Sequence, residues 1–137
     1  MTAKEYLSQY IDAVNDIKSM RAELEQLEAD ATAMSPSASS SHTPGSISDK
    51  VGRKSPEIAD LKREIEEEIE AAMYLRRNIR HSIAAISGKD LRRLLRYRYL
   101  CGYTFEKIAV KMNYSYYHIV HRMHPRALAK IGDTFPE

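Results

Sequence analysis

The sequence has no tryptophan, one cysteine, two phenylalanines, and only five glycines and five prolines among 137 residues. These scarcities exclude several classes of protein. A lone Cys101 cannot build an intramolecular disulfide framework, which points to a reducing compartment. No apolar stretch has signal-peptide length near the start "MTAKEYLSQYIDAVNDIK", and none is long enough to span a bilayer. The chain is therefore expected in a cytoplasm, with no membrane partner. There is no Gly-rich phosphate loop, no paired set of metal ligands, and no nucleophile with a base beside it. An enzyme is not expected, and no cofactor is implied. What remains is rich in Ala, Leu, Ile, Glu and Arg, a mixture that favours helices over sheets.

The formal net charge of +2 conceals two halves of opposite sign. Residues 1–70 hold 8 Lys and Arg against 15 Asp and Glu, whereas residues 71–137 hold 13 against 4. Such a split assigns different work to the two halves, with the basic one suited to a polyanion.

The acidic half reads as long helices. Tyr6, Tyr10, Ala13, Ile17, Met20, Leu24, Leu27, Ala31 and Met34 alternate spacings of four and three, the heptad seam of a helix over 1–34. Leu7, Ile11 and Val14 widen that seam near its start, so this end is expected to meet more than one neighbour. The Ser-rich stretch over 35–54 has no apolar period and reads as a flexible linker. A second amphipathic helix is expected over 55–87, with Ser55 as N-cap, Pro56 in the first turn, and Ser87-Gly88 as its stop. Its stripe runs from Ile58 through Leu61, Ile65, Ile69, Ala72, Leu75, Ile79 and Ile83 to Ile86. The acidic run "EIEEEIE" is a solvated face, since a catalytic carboxylate pair needs a pocket to shift its pKa. The two helices form a hairpin within one chain or a coiled coil between chains, and a homo-oligomer is expected through them.

Residues 88–132 change character. Asp90 can cap a helix "LRRLLRYRYL" whose Leu91, Leu94 and Leu95 point inward. Thr104 can cap "FEKIAVKM", with Ile108, Ala109 and Met112 facing in. Asn113 tolerates the left-handed backbone of a tight turn, Tyr114 plugs that turn, and Ser115 caps a further helix with Ile119 inward. The small Ala109 sits where two helices would cross closely. These offsets describe a helix-turn-helix, and the all-α expectation is completed by it. With Ile119 inward, the outward and base-reading face comprises Ser115, Tyr116, Tyr117, Val120, His121 and His124, placed in the major groove of duplex DNA. Arg92, Arg93, Arg96, Thr104, Lys107, Arg122, Arg126 and Lys130 are the expected phosphate contacts, which hold register without reading sequence. His118, His121 and His124 do not form a metal site, because successive steps of three turn the helix by about 300° each. Cys101 is expected as a buried apolar filler beside Tyr99 and Phe105. Pro125 removes a hydrogen bond and crowds the carbonyl of His121, so the helix should kink or restart into "RALAKI", and the tail "GDTFPE" should fray.

The stretch "LRRLLRYRYLCGYTFEKIAVKMNYSYYHIVHRMHPRALAKI" resembles region 4 of sigma-70-type factors. With the opening "MTAKEYL" and the acidic helix pair, it is similar to small sigma-like phage and prophage proteins, neighbours of the ArpU- and RinA-type late transcriptional regulators. The resemblance implies that Thr104–Met112 is the positioning helix and that recognition begins at Ser115. It also implies promoter binding at a −35 element and contact with host RNA polymerase. The chain departs from the pattern at Asn113, where Gly is usual, and at Pro125, where the helix is normally continuous. It has no counterpart of the region that binds the −10 element, so it should not act as a complete sigma factor. The reading is a transcriptional regulator of phage or prophage genes. Two alternatives stand beside it: a small-terminase-like DNA-packaging subunit, and a protein-binding module such as an anti-repressor.

Overall fold

The computed structural model describes residues 1–33, 44–132 and 135, with the backbone alone over 44–55. The fold is all-α, with no strand among the described residues. Helix α1 spans Ala3–Ala33, α2 Pro44–Ala85, α3 Lys89–Leu95, α4 Phe105–Met112, α5 Tyr116–His118 and α6 His124–Ile131. Two π-helical turns complete it, Arg96–Leu100 after α3 and Ile119–Met123 between α5 and α6. The backbone is consequently helical throughout 116–131.

Helix α1 starts at a reciprocal cap. The Glu5 N–H donates to Thr2 Oγ1 (3.1 Å) and the Thr2 N–H donates to Glu5 Oε2 (2.7 Å), satisfying two donors that the first turn would otherwise leave bare. The Thr2 backbone bond holds the Glu5 pKa below its ordinary value. Helix α2 begins earlier than the expected Ser55. Its backbone is helical from Pro44, a residue suited to a first turn. The Ser-rich signal fades after Ser48, and "DKVGRKS" holds nothing except Gly52 that opposes a helix. Pro56 therefore lies inside α2 rather than at its start. The part of the expected linker over 35–43, with Met34, lies outside the described residues.

The chain divides into two compact units, one of residues 14–70 and one of residues 1–13 with 71–137. Both long helices contribute to both. In the first unit the buried positions are Ile17, Ala31, Leu61 and Ile65. Met20, Leu24, Leu27, Ile58 and Ile69 are half-buried and everything between them is exposed, which is the one-stripe pattern of an amphipathic helix.

The second unit is built around a contiguous core. Leu7 from α1, Ile79 and Ile83 from α2, Leu94 and Leu95 from α3, Ile108 from α4, Ile119 and Ile131 are fully buried. Each contributes about 1.5–3 kcal/mol of apolar burial. Tyr6 is buried with its hydroxyl bonded to Ser82 Oγ at 2.9 Å, and Phe135 stacks on its ring at 4.9 Å. The compact unit thus reaches beyond the expected 88–132 segment. The reason is coverage: Leu91, Leu94 and Leu95 occupy one face of a short helix, and α1 and α2 supply the apolar surface that shields that core. The widened seam at Leu7 and Ile11 belongs to this work, since Ile11 Cδ1 would lie 3.3 Å from a Cβ placed on Gly102. Gly102, at φ 74°, is thus restricted both by that close approach and by a backbone conformation that favours glycine.

Candidate nucleic-acid interface

The segment from Thr104 to Ile131 is set by local signals. Thr104 Oγ1 accepts the Lys107 N–H (3.2 Å) at the start of α4, and Ser115 Oγ accepts the His118 N–H (3.1 Å) at the start of α5. Between them Asn113 adopts φ 61°, ψ 42°, the left-handed conformation that ends a helix. The Tyr114 N–H then reaches back to the Ala109 carbonyl at 3.1 Å. Ile108, Ala109 and Ile119 are buried, and Met112 is half-buried, so the two helices meet through small and branched side chains.

The opposite face is open. Tyr116 is 48% and Tyr117 61% exposed, Ser115, His121 and Arg122 are exposed, and Val120 is half-buried. Tyr117 and His121 lie one turn apart with ring centroids at 4.6 Å, and Tyr114 and His118 pair likewise at 5.1 Å. The surface is thus two aromatic–imidazole pairs edged by arginines. Arg93, Arg96, Thr104, Lys107 and Arg126 are exposed as well. Thirteen Lys and Arg occur between Ala71 and Ile131, against Asp90 and Glu106 alone.

His124 does not belong to this face. It is buried, its Nε2 lies 2.7 Å from the Tyr99 hydroxyl, and its ring stacks near Tyr99 and meets Phe105 edge-on at 4.9 Å. Burial pushes its pKa down to about 4, with Arg98 and Lys4 adding to the effect, so it is neutral. Burial likewise pushes Tyr99 up to about 12, against the pull of Arg98. The cause of the misplacement is the π turn. Five residues of α-helix would carry His124 about 140° around from Ile119. Instead the His124 N–H bonds the Ile119 carbonyl, wrapping one more residue into the turn and returning His124 toward the inward side. Pro125, which has no N–H and crowds the preceding carbonyls, is accommodated by that wider turn. The helix goes through it without a break.

Other expectations change for related reasons. Cys101 is exposed rather than buried. It closes the first π turn, its N–H bonding the Arg96 carbonyl at 3.0 Å, and the Arg98 guanidinium covers Phe105 at 4.1 Å. Asp90 is not the cap of α3, whose N-cap is Gly88. Asp90 instead accepts the Tyr114 hydroxyl at 2.6 Å and sits 3.7 Å from Arg93, and that bond raises the Tyr114 pKa. Tyr114 therefore clasps the turn from its rim, 37% exposed, rather than plugging it. Two of the expected phosphate contacts have partners at the end of α2. Arg92 Nη1 donates to the Ile86 carbonyl (3.0 Å), and Lys130 Nζ donates to Ser87 O (2.9 Å) and Oγ (2.8 Å). Cations there satisfy carbonyls that a helix C-terminus leaves without partners.

Sequence reasoning named Lys107 but passed over two neighbours of the site, Lys111 and Lys89. Lys107 and Lys111 both lie over the Tyr103 ring, at 3.9 and 5.6 Å, and Lys89 opens α3 beside the Tyr114–His118 pair. The cationic ladder along α4 was legible from Lys107 and Lys111 at a spacing of four. Lys89 carried no signal beyond its charge. No group of three His, Cys, Asp or Glu able to hold a metal ion occurs among the described residues, and no helix among them is long and apolar enough to cross a membrane. No protein-family model, curated protein or solved structure matches the chain.

Proposed function

We propose that the protein is a sequence-specific reader of duplex DNA, built as a long helical hairpin carrying a helix-turn-helix of the sigma region 4 type, and that it regulates transcription of phage or prophage genes. The observation that carries this reading is the exposed face of α5 and the following turn. Ser115, Tyr116, Tyr117 and His121 project from a helix whose inner side is locked by Ile119 and whose start is fixed by Ser115 and Asn113. Exposed aromatic rings and hydroxyls on a rigid helix suit base edges and thymine methyls in a major groove. Arg122 and Arg126 beside them suit phosphates. His124 is withdrawn from the reading face, and Arg92 and Lys130 act chiefly inside the fold. A dimer would present two such helices to two half-sites.

Selection from a pool of random duplexes at near-physiological salt tests the reading directly. The expected result is a defined motif, palindromic or −35-like, which Tyr117→Ala blurs by weakening discrimination between sites. Arg122→Ala should weaken specific and random duplexes alike. A pool that yields no motif and only weak, salt-sensitive retention would overturn the proposal.

A further inference from the structure

We infer that the cleft between the start of α3 and the outer side of residues 118–130 seats a backbone phosphate of the same duplex, held chiefly by Lys89 and Arg126. The inference rests on the DNA-reading proposal and extends it to a part of the surface that lies off the base-reading face. The cleft has a volume of about 420 Å³ and is lined by residues of α3, α5 and α6 together with Tyr114 and Gly88. That is on the order of a dozen water volumes, enough for a phosphate with some of its hydration.

Its charge is the first argument. Lys89, Arg126 and Lys130 contribute three cations, and Asp90 is the one carboxylate on the lining. Asp90 is already engaged by the Tyr114 hydroxyl and faced by Arg93, so its oxygens are turned to partners of their own. Lys130 holds Ser87 with two hydrogen bonds and keeps one N–H and its full charge. Lys89 and Arg126 are exposed and make no ion pair among the described residues. Two uncommitted cations beside a third that is fixed in place favour an oxyanion in the cleft.

The second argument is the floor. Gly88 adopts φ 101°, and a Cβ there would stand 3.2 Å from Leu91 Cδ1 and 3.5 Å from Lys130 Nζ. Glycine keeps that space open and leaves the ammonium uncovered. The third is position. His118 lines the cleft and is a neighbour of Tyr117, so a strand whose bases meet Tyr117 and His121 passes its phosphates near this wall.

The test uses the full chain and the motif recovered by selection. Lys89→Gln, Arg126→Gln and the double variant should keep the wild-type circular dichroism spectrum and melting temperature, because both side chains are exposed. Each should weaken specific and random duplexes equally, by roughly three- to tenfold at physiological salt, and lower the slope of log affinity against log salt by about 0.9. A duplex with one neutral methylphosphonate at the seated position should bind wild type more weakly and bind Lys89→Gln no more weakly than unmodified DNA. Motif selection by wild type with unchanged affinity and slope in both variants would overturn the inference and leave the DNA reading intact. Loss of duplex binding in wild type would remove both. Displacement by millimolar inorganic phosphate beyond that of chloride at equal ionic strength, with no effect of the methylphosphonate, would assign the cleft to a free anion and also overturn it.

Discussion

Residues 14–70 and the unit formed by 1–13 with 71–137 bury apolar side chains in different ways. In the first, burial follows a stripe: Ile17, Ala31, Leu61 and Ile65 are covered, each flanked by exposed residues on both sides. In the second, side chains from every helix except α5 converge, and eight large ones are fully enclosed. A stripe leaves room for its neighbours to relax into a gap, whereas an enclosed core does not. The same substitution should therefore differ in cost between them. Leu94→Ala, at a position with no exposure, should lose about 3–5 kcal/mol of stability, and Leu61→Ala about 2 kcal/mol or less. Urea unfolding of both variants measures the difference. Equal losses would mean that the stripe is as tightly enclosed as the core.

The next effect belongs to the compact unit alone. Tyr99 and His124 join the two π turns through a buried hydrogen bond, and Tyr99→Phe leaves the imidazole nitrogen without its partner. The expected loss is about 1–3 kcal/mol. The same pair makes this unit acid-sensitive. His124 is held at about 4 from an ordinary value of 6.5, so between those values the unfolded chain binds a proton that the folded chain refuses. Stability from this source is complete above about pH 6.5 and falls as the pH drops toward 4. His124→Gln keeps a polar partner for Tyr99 and does not titrate. Its unfolding free energy should decline less steeply than wild type between pH 6.5 and 4, and an identical decline would show that His124 does not set the dependence.

These two turns also mark what could and could not be read from the residues. Thr104, Asn113 and Ser115 were legible because a cap or a left-handed turn depends on a residue and its near neighbours. Ile108, Ala109 and Ile119 were legible because their spacing follows an ordinary helical period. His124 and Cys101 were misplaced because each follows an irregularity that no period encodes, and Asp90 because its partner Tyr114 lies 24 residues away. A π turn shifts every later side chain around the axis, and only Pro125 hinted that one was present. The first π turn had no such herald. The partners of Arg92 and Lys130 were hidden for another reason: both bond the end of α2, and Lys130 is 43 residues from Ser87. Charge alone made them look like phosphate contacts.

A smaller effect tests the turn. Asn113 holds φ 61°, where a Cβ costs about 1–2 kcal/mol unless a local side-chain bond offsets it. Asn113→Ala should destabilise by about 1 kcal/mol and Asn113→Gly should be close to neutral. Thermal melting of the pair distinguishes a backbone requirement from a side-chain one, because loss in both variants would place the role in the amide.

The smallest effect returns to the two regions through two aspartates. Asp60, on the exposed side of residues 14–70, pairs with Arg63 at 2.5 Å, both side chains being more than half exposed. Water screens that attraction, and ordering two flexible side chains opposes it, so Asp60→Ala should change stability by no more than about 0.5 kcal/mol. Asp90 in the compact unit is also exposed in part, yet it links α3 to Tyr114 across 24 residues as well as facing Arg93. Removing it releases the turn between α4 and α5, whereas removing Asp60 releases one side chain within one helix. Asp90→Ala should therefore be the more destabilising of the two, and high salt should narrow the gap only partly, because the Tyr114 bond has a neutral donor. If the two variants melt together, Tyr114 does not clasp the turn, and the orientation of Tyr116 and Tyr117 must come from Ser115 and Ile119 alone.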